Sequence, residues 1–104
     1  RDQDTQSRAA LDRIRAEYEI AKKKYLEKSN DHGRVELQRE QVERRMEQGV
    51  LSGPDFEEAK AKLGDLELAI KELRIELQEQ ERRFESLQAL LISAESDQLR
   101  SALN

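Results

Sequence analysis

Residues 48–56 read Gln48-Gly49-Val50-Leu51-Ser52-Gly53-Pro54-Asp55-Phe56, and each local signal in this stretch belongs to a helix end. Gly49 suits the left-handed position just past a helix C-terminus. Ser52, followed three residues later by Asp55, forms an S-x-x-D capping box. Pro54, with its fixed φ and no N–H, fits a first helical turn. One helix therefore ends at this point and another starts.

Downstream, Phe56, Ala59, Leu63, Leu66, Ile70, Leu73, Leu77, Gln80, Phe84, Leu87, Leu91 and Ala94 recur at alternating spacings of three and four. This is the seam of a coiled-coil helix, and only Gln80 in it is polar. Upstream, Leu11, Ile14, Tyr18, Ala21 and Tyr25 keep the same spacing. The phase then passes through Lys28, His32, Val35, Arg39, Val42 and Met46. This phase favours one long helix with a soft middle. The turn-like composition of Ser29-Asn30-Asp31-His32-Gly33 leaves open a break near residues 29–33, which would divide the first half in two.

Folding back at residues 49–53 brings the two seams together. The residue numbers of facing positions add to 101 or 102 throughout: Met46 with Phe56, Val42 with Ala59, Val35 with Leu66, Tyr25 with Leu77, Tyr18 with Phe84, Leu11 with Leu91. The predicted fold is all-α, a long antiparallel coiled-coil hairpin with helices over about 6–48 and 54–96. With roughly 40 residues per arm at 1.5 Å each, an arm spans on the order of 60 Å.

A hairpin buries one seam per helix against an ordering cost of about 1–2 kcal/mol per residue, so it is marginal alone and further burial is expected. Ala61, Leu68 and Ile75 repeat every seven residues on the far side of the second helix, and Ile20, Leu26 and Leu37 lie off the seam of the first. Isolated surface apolar residues are ordinary. The period at Leu68 and Ile75 instead marks a face for a protein partner or for self-association.

Composition limits the function classes. The 104 residues are 40% charged, with two Phe, two Tyr, one Pro, one Met, no Cys and no Trp. That mixture suits long surface-rich helices and neither a β-sandwich nor a disulfide scaffold. Without Cys there is no thiolate nucleophile, Fe–S cluster or Cys-containing zinc site, and no reading of redox compartment. A formal charge of −4 and a pI near 5.2 argue against a dedicated nucleic-acid binder. Counted through Gln48, 12 basic residues stand against 11 acidic; from Pro54 onward, 7 stand against 12. The acid excess of the second helix suits a basic partner or a solvated face. No apolar run approaches the roughly 20 residues of a membrane span, and none resembles a signal peptide. Beginning at Arg1 without Met, the chain reads as a single domain, residues 1–104, taken from a larger protein.

Chemistry-bearing constellations are sparse. His32 is the only histidine and lacks the clustered ligands of a transition-metal site; it reads as a seam residue. The acidic pairs lie on exposed helix faces, where nothing splits their pKa values for acid–base work. No calcium loop, phosphate loop, dinucleotide fingerprint or nucleophile elbow is present. No catalytic residue, metal or cofactor is expected. The turn is the other recognition candidate, because exposed loops carry recognition more often than helix bodies. Val50, Leu51 and Ser52 are its candidate partner-binding residues. The apolar pair either folds back on the helix ends or awaits a partner.

Gly49-Val50-Leu51-Ser52, followed by Asp55-Phe56-Glu57-Glu58-Ala59, resembles the "G-x-x-S" tip and acidic helix start of bacterial periplasmic adaptors, the membrane fusion proteins of efflux pumps and type I secretion systems. Ala16-Glu17-Tyr18-Glu19-Ile20-Ala21-Lys22-Lys23-Lys24-Tyr25 is similar to their ascending arm, and the likeness covers roughly residues 9–94. In channel-docking adaptors a Leu stands seven residues before the tip Ser and an Arg four before that; Arg45 and Gln41 occupy those positions here, so only Ser52 fits. The resemblance implies a non-enzymatic spacer in the periplasm or cell envelope, touching a channel, a transporter component or sister subunits. A second likeness, of Met46–Ser52 with Phe56 and Ala59 to short helix-turn-helix oligomerisation motifs, covers about 30 residues. The alternative function is a homodimeric scaffold in which two hairpins form a four-helix bundle through Leu68 and Ile75.

Overall fold

A computed structural model describes residues 2–103. Two helices, α1 (Asp2–Glu47) and α2 (Gly53–Leu103), form an all-α helical hairpin. No strand occurs among the described residues.

The turn follows its sequence signals closely. Gln48 N–H closes the last α1 turn on the Arg44 carbonyl at 3.0 Å, and Gly49 N–H donates to the Met46 carbonyl at 3.3 Å. Gly49 adopts φ +66°, the left-handed conformation that a Cβ disfavours by about 1–2 kcal/mol. On the other side, Asp55 N–H reaches Ser52 Oγ at 3.4 Å, the Ser52 hydroxyl donates to Asp55 Oδ2 at 2.9 Å, and Phe56 N–H donates to the Ser52 carbonyl at 2.7 Å. Ser52 is thus the N-cap of α2 and satisfies donors that the first turn would leave open.

α1 runs unbroken through Ser29–Gly33. A mid-helix glycine costs about 1 kcal/mol relative to alanine, but Lys28, His32 and Val35 are half-buried in the seam on either side of it. Packing of the seam overrides the local turn preference. Both helices also extend beyond their expected ends, to Asp2 and to Leu103. No Gly or Pro follows Ser96 to stop α2, and Arg100 in its last turn complements the negative helix end.

The hairpin divides into two compact units. The terminal unit comprises the chain up to Leu26 and from Glu79 onward. Its core holds Leu11, Ala21 and Leu87, with Ala21 fully buried. Around them, Ile14, Tyr18, Tyr25, Phe84, Leu91 and Ala94 are half-buried. The Phe84 ring lies 5.4 Å from Tyr18, tilted by 31°, and 5.4 Å from Tyr25, stacked at 10°. The Tyr18–Phe84 contact is the one that the antiparallel register requires.

The turn unit, Glu27–Gln78, centres on Val42, Ala59 and Ile70, the last 2% exposed. Val35, Met46, Leu63, Leu66, Leu73 and Leu77 flank them half-buried. Phe56, expected in the seam, is exposed. It stands in the first turn of α2, where the hairpin opens into its connection and no further seam layer covers the ring.

Candidate interaction surfaces

At the tip the three candidate residues fare differently. Val50 is 76% exposed, whereas Leu51 is half-buried. Ser52 is exposed as a residue, but its hydroxyl serves the helix cap. The apolar pair is thus split, with Leu51 half covered and Val50 presented to solvent. A shallow groove beside the tip is lined by Val42, Arg45, Asp55, Glu58, Ala59 and Lys62.

On the outer face of the turn unit, Leu68 and Ile75 are 60% and 59% exposed, and Ala61 is exposed with them. They lie opposite the seam because each falls two residues after a seam position on the α-helical wheel. Leu37 of α1 is likewise exposed.

Most polar seam positions lie in this unit, where they are organised across the helices; Gln80, its Oε1 buried without a hydrogen-bond partner, is a polar seam position of the terminal unit. Lys28 Nζ donates to Glu76 Oε2 at 2.6 Å. This hydrogen bond, reinforced by the Glu76 charge, raises the Lys28 pKa above its usual 10.5. Glu36 Oε1 lies 3.4 Å from both Arg74 Nη2 and His32 Nε2. The Arg74 contact is a hydrogen bond; the His32 contact is not aligned as one, and the buried Nε2 has no hydrogen-bond partner. Arg39 Nε, also buried, is 3.8 Å from Glu43 Oε1 and without a hydrogen bond. These side chains sit between the helices rather than around a cavity, so their chemistry is that of helix pairing and register.

Among the described residues no group of three or more His, Asp or Glu side chains is placed to hold a metal ion. No described helix is long and apolar enough to cross a membrane. Comparisons with protein families, with curated proteins and with solved structures each returned no match.

Sequence periodicity locates Leu68 and Ile75 but overlooks two features that surround them. One is the cross-helix pairing of Lys28 with Glu76 and of Glu36 with Arg74, which apolar spacing does not register. The other is the charge that borders the exposed apolar residues. On α2, acids at Glu58, Asp65 and Glu72 alternate with Ala61, Leu68 and Ile75 at spacings of three and four; on α1, Arg34 and Arg44 stand one or two turns from Leu37. All of these side chains are on exposed residues.

Proposed function

We propose that the chain is a non-enzymatic interaction and spacer arm of the periplasmic-adaptor kind, which engages a channel or sister subunits in the cell envelope through its tip and outer faces. The observation that carries this reading is the exposed, heptad-spaced pair Leu68 and Ile75, on a helix whose seam is already occupied by α1. Apolar residues that repeat on the wet side of a coiled-coil helix are a partner's seam rather than scatter. The projecting Val50 supports a second contact at the tip, and the tip sequence supplies the adaptor likeness.

The second reading, a homodimeric four-helix bundle, draws on the same stripe. Sedimentation equilibrium of residues 1–104 over a wide concentration range separates the two, with Leu68→Asp plus Ile75→Asp as the comparison. A monomer or a weak open-ended association favours the arm. A tight, discrete dimer that the double variant converts to monomers overturns the arm in favour of the scaffold. A tight dimer that the variant leaves intact removes this face from both readings.

A further inference from the structure

The outer face of α2 in the turn unit joins a row of acids to its row of apolar residues. Ala61, Leu68 and Ile75 run along its centre seven residues apart, and Glu58, Asp65 and Glu72 run beside them at the same interval. Glu57 adds a fourth acid at the start of the stripe, and Lys71 is the one base on this face; Lys60 and Lys62 fall beside the seam instead. All residues of the stripe are exposed, and none of its four acids makes an ion pair among the described residues. Successive acids of the row stand about 10 Å apart along the helix, close enough to repel at ordinary ionic strength.

Resting on the reading of the chain as an interaction arm, we propose that this stripe docks a basic amphipathic helix of a different protein, one with an apolar residue in every heptad and Lys or Arg beside it. The period of the stripe, 3.5 residues, is that of a coiled-coil seam, which another α-helix can follow along its length. From Glu58 to Ile75 it covers 18 residues, about five turns or 27 Å. Its acids select cationic side chains, because opposed charges across an interface steer encounter and fix register while like charges exclude the wrong partner. Its apolar row supplies the burial that exposed ion pairs alone do not.

A second copy of this chain does not offer that chemistry. Its α2 brings the same acids. The outer face of α1 in this unit is mixed, with Glu27, Glu40 and Glu47 against Arg34 and Arg44, and Leu37 is its one large apolar residue, all of them exposed. Neither face presents a continuous positive row beside a continuous apolar one.

Fluorescence anisotropy with the whole 104-residue chain tests this against labelled helical peptides of about three heptads. The basic probe carries Leu in every heptad with Lys beside it; one control replaces its Lys by Glu, and another replaces its Leu by Ser. The chain should bind the basic probe at least about tenfold more tightly than either control, and the advantage over the acidic control should shrink as salt is raised. Glu58→Lys with Asp65→Lys and Glu72→Lys should reverse the preference between basic and acidic probes. Glu58→Gln with Asp65→Asn and Glu72→Gln should largely erase it, with far-UV circular dichroism as the check on helicity. A preference that survives in both variants overturns the proposal, as does equal binding of the Ser control, which is charge attraction without docking. Equal binding of basic and acidic probes, lost in Leu68→Asp with Ile75→Asp, rejects the basic partner alone and leaves the interaction arm standing. Basic-probe binding that Leu68→Asp with Ile75→Asp leaves intact removes this face and, with it, the observation that carries the arm. A chain that binds no probe also overturns the proposal; if it sediments as a tight dimer, a second copy occupies the stripe.

Discussion

The terminal unit and the turn unit solve the same packing problem with different chemistry. In the terminal unit, three aromatic rings meet across a seam that also buries Leu11, Ala21 and Leu87 and holds the polar Gln80. In the turn unit, Lys28, His32 and Arg39 interrupt the seam, and ion pairs to Glu76 and from Arg74 to Glu36 cross between the helices. Apolar and aromatic layers supply burial but tolerate sliding, since one Leu layer resembles the next. A polar residue in a seam is satisfied in only one alignment, which fixes register at a cost in stability. The terminal unit is thus the better source of stability and the turn unit the better source of register.

The largest expected effect follows from removing the ring shared by both tyrosines. Phe84→Ala should destabilise the chain by about 2–4 kcal/mol, somewhat below the range for a fully buried Phe because Phe84 is only half-buried. Urea unfolding monitored by circular dichroism reads this directly; a loss under about 1 kcal/mol would break the comparison at the terminal unit.

The turn unit should respond in the opposite direction. His32→Leu replaces a buried nitrogen that has no hydrogen-bond partner and should raise stability by about 1 kcal/mol. If the polar seam sets register, disulfide trapping with cysteine pairs one heptad out of alignment should become detectable in the variant. A destabilised His32→Leu would show that the imidazole contributes more than packing.

Gly49→Ala should cost about 1 kcal/mol, because the φ of +66° is retained by the turn while the added Cβ meets no atom within 4 Å. Conformational strain is then the whole effect, and an unchanged urea midpoint would exclude it.

The smallest effect is at high pH. Lys28 has a raised pKa in the folded chain, so its contribution to stability is complete below the unfolded value of 10.5 and is lost as pH rises through the folded one. The pair is exposed, so the change is small. Glu76→Gln should flatten the fall in melting temperature between neutral pH and the range above 10.5. Identical profiles for the two proteins would remove Lys28–Glu76 from the account.

The hairpin was legible in the sequence because its signals agree at every level. Glycine, capping box and proline mark one turn, and two seams in matching phase flank it. The interruption considered at Ser29–Gly33 shows the limit of local reading, since turn composition there is overridden by contacts made across the hairpin. Apolar spacing thins after Ala94 and so places the end of α2 too early, although nothing in residues 97–103 breaks a helix. At the surfaces, periodicity finds Leu68 and Ile75 but cannot separate Val50 from Leu51, which differ only in how the turn orients them. The charged borders were present in the sequence at regular spacing. The acids beside Ala61, Leu68 and Ile75 become informative only once all of these residues are known to be exposed.

The Phe84 stack has a mechanical consequence. In an antiparallel hairpin, tension applied between the free ends of α1 and α2 does not shear the whole seam at once. It opens one layer at a time, as a zipper does. The leading layers are those near Leu11 and Leu91, and the Tyr18–Phe84–Tyr25 stack behind them is the first place where two layers share one side chain. Force spectroscopy pulling on the two ends should therefore record its first pronounced resistance at that stack. Phe84→Ala should erase that peak.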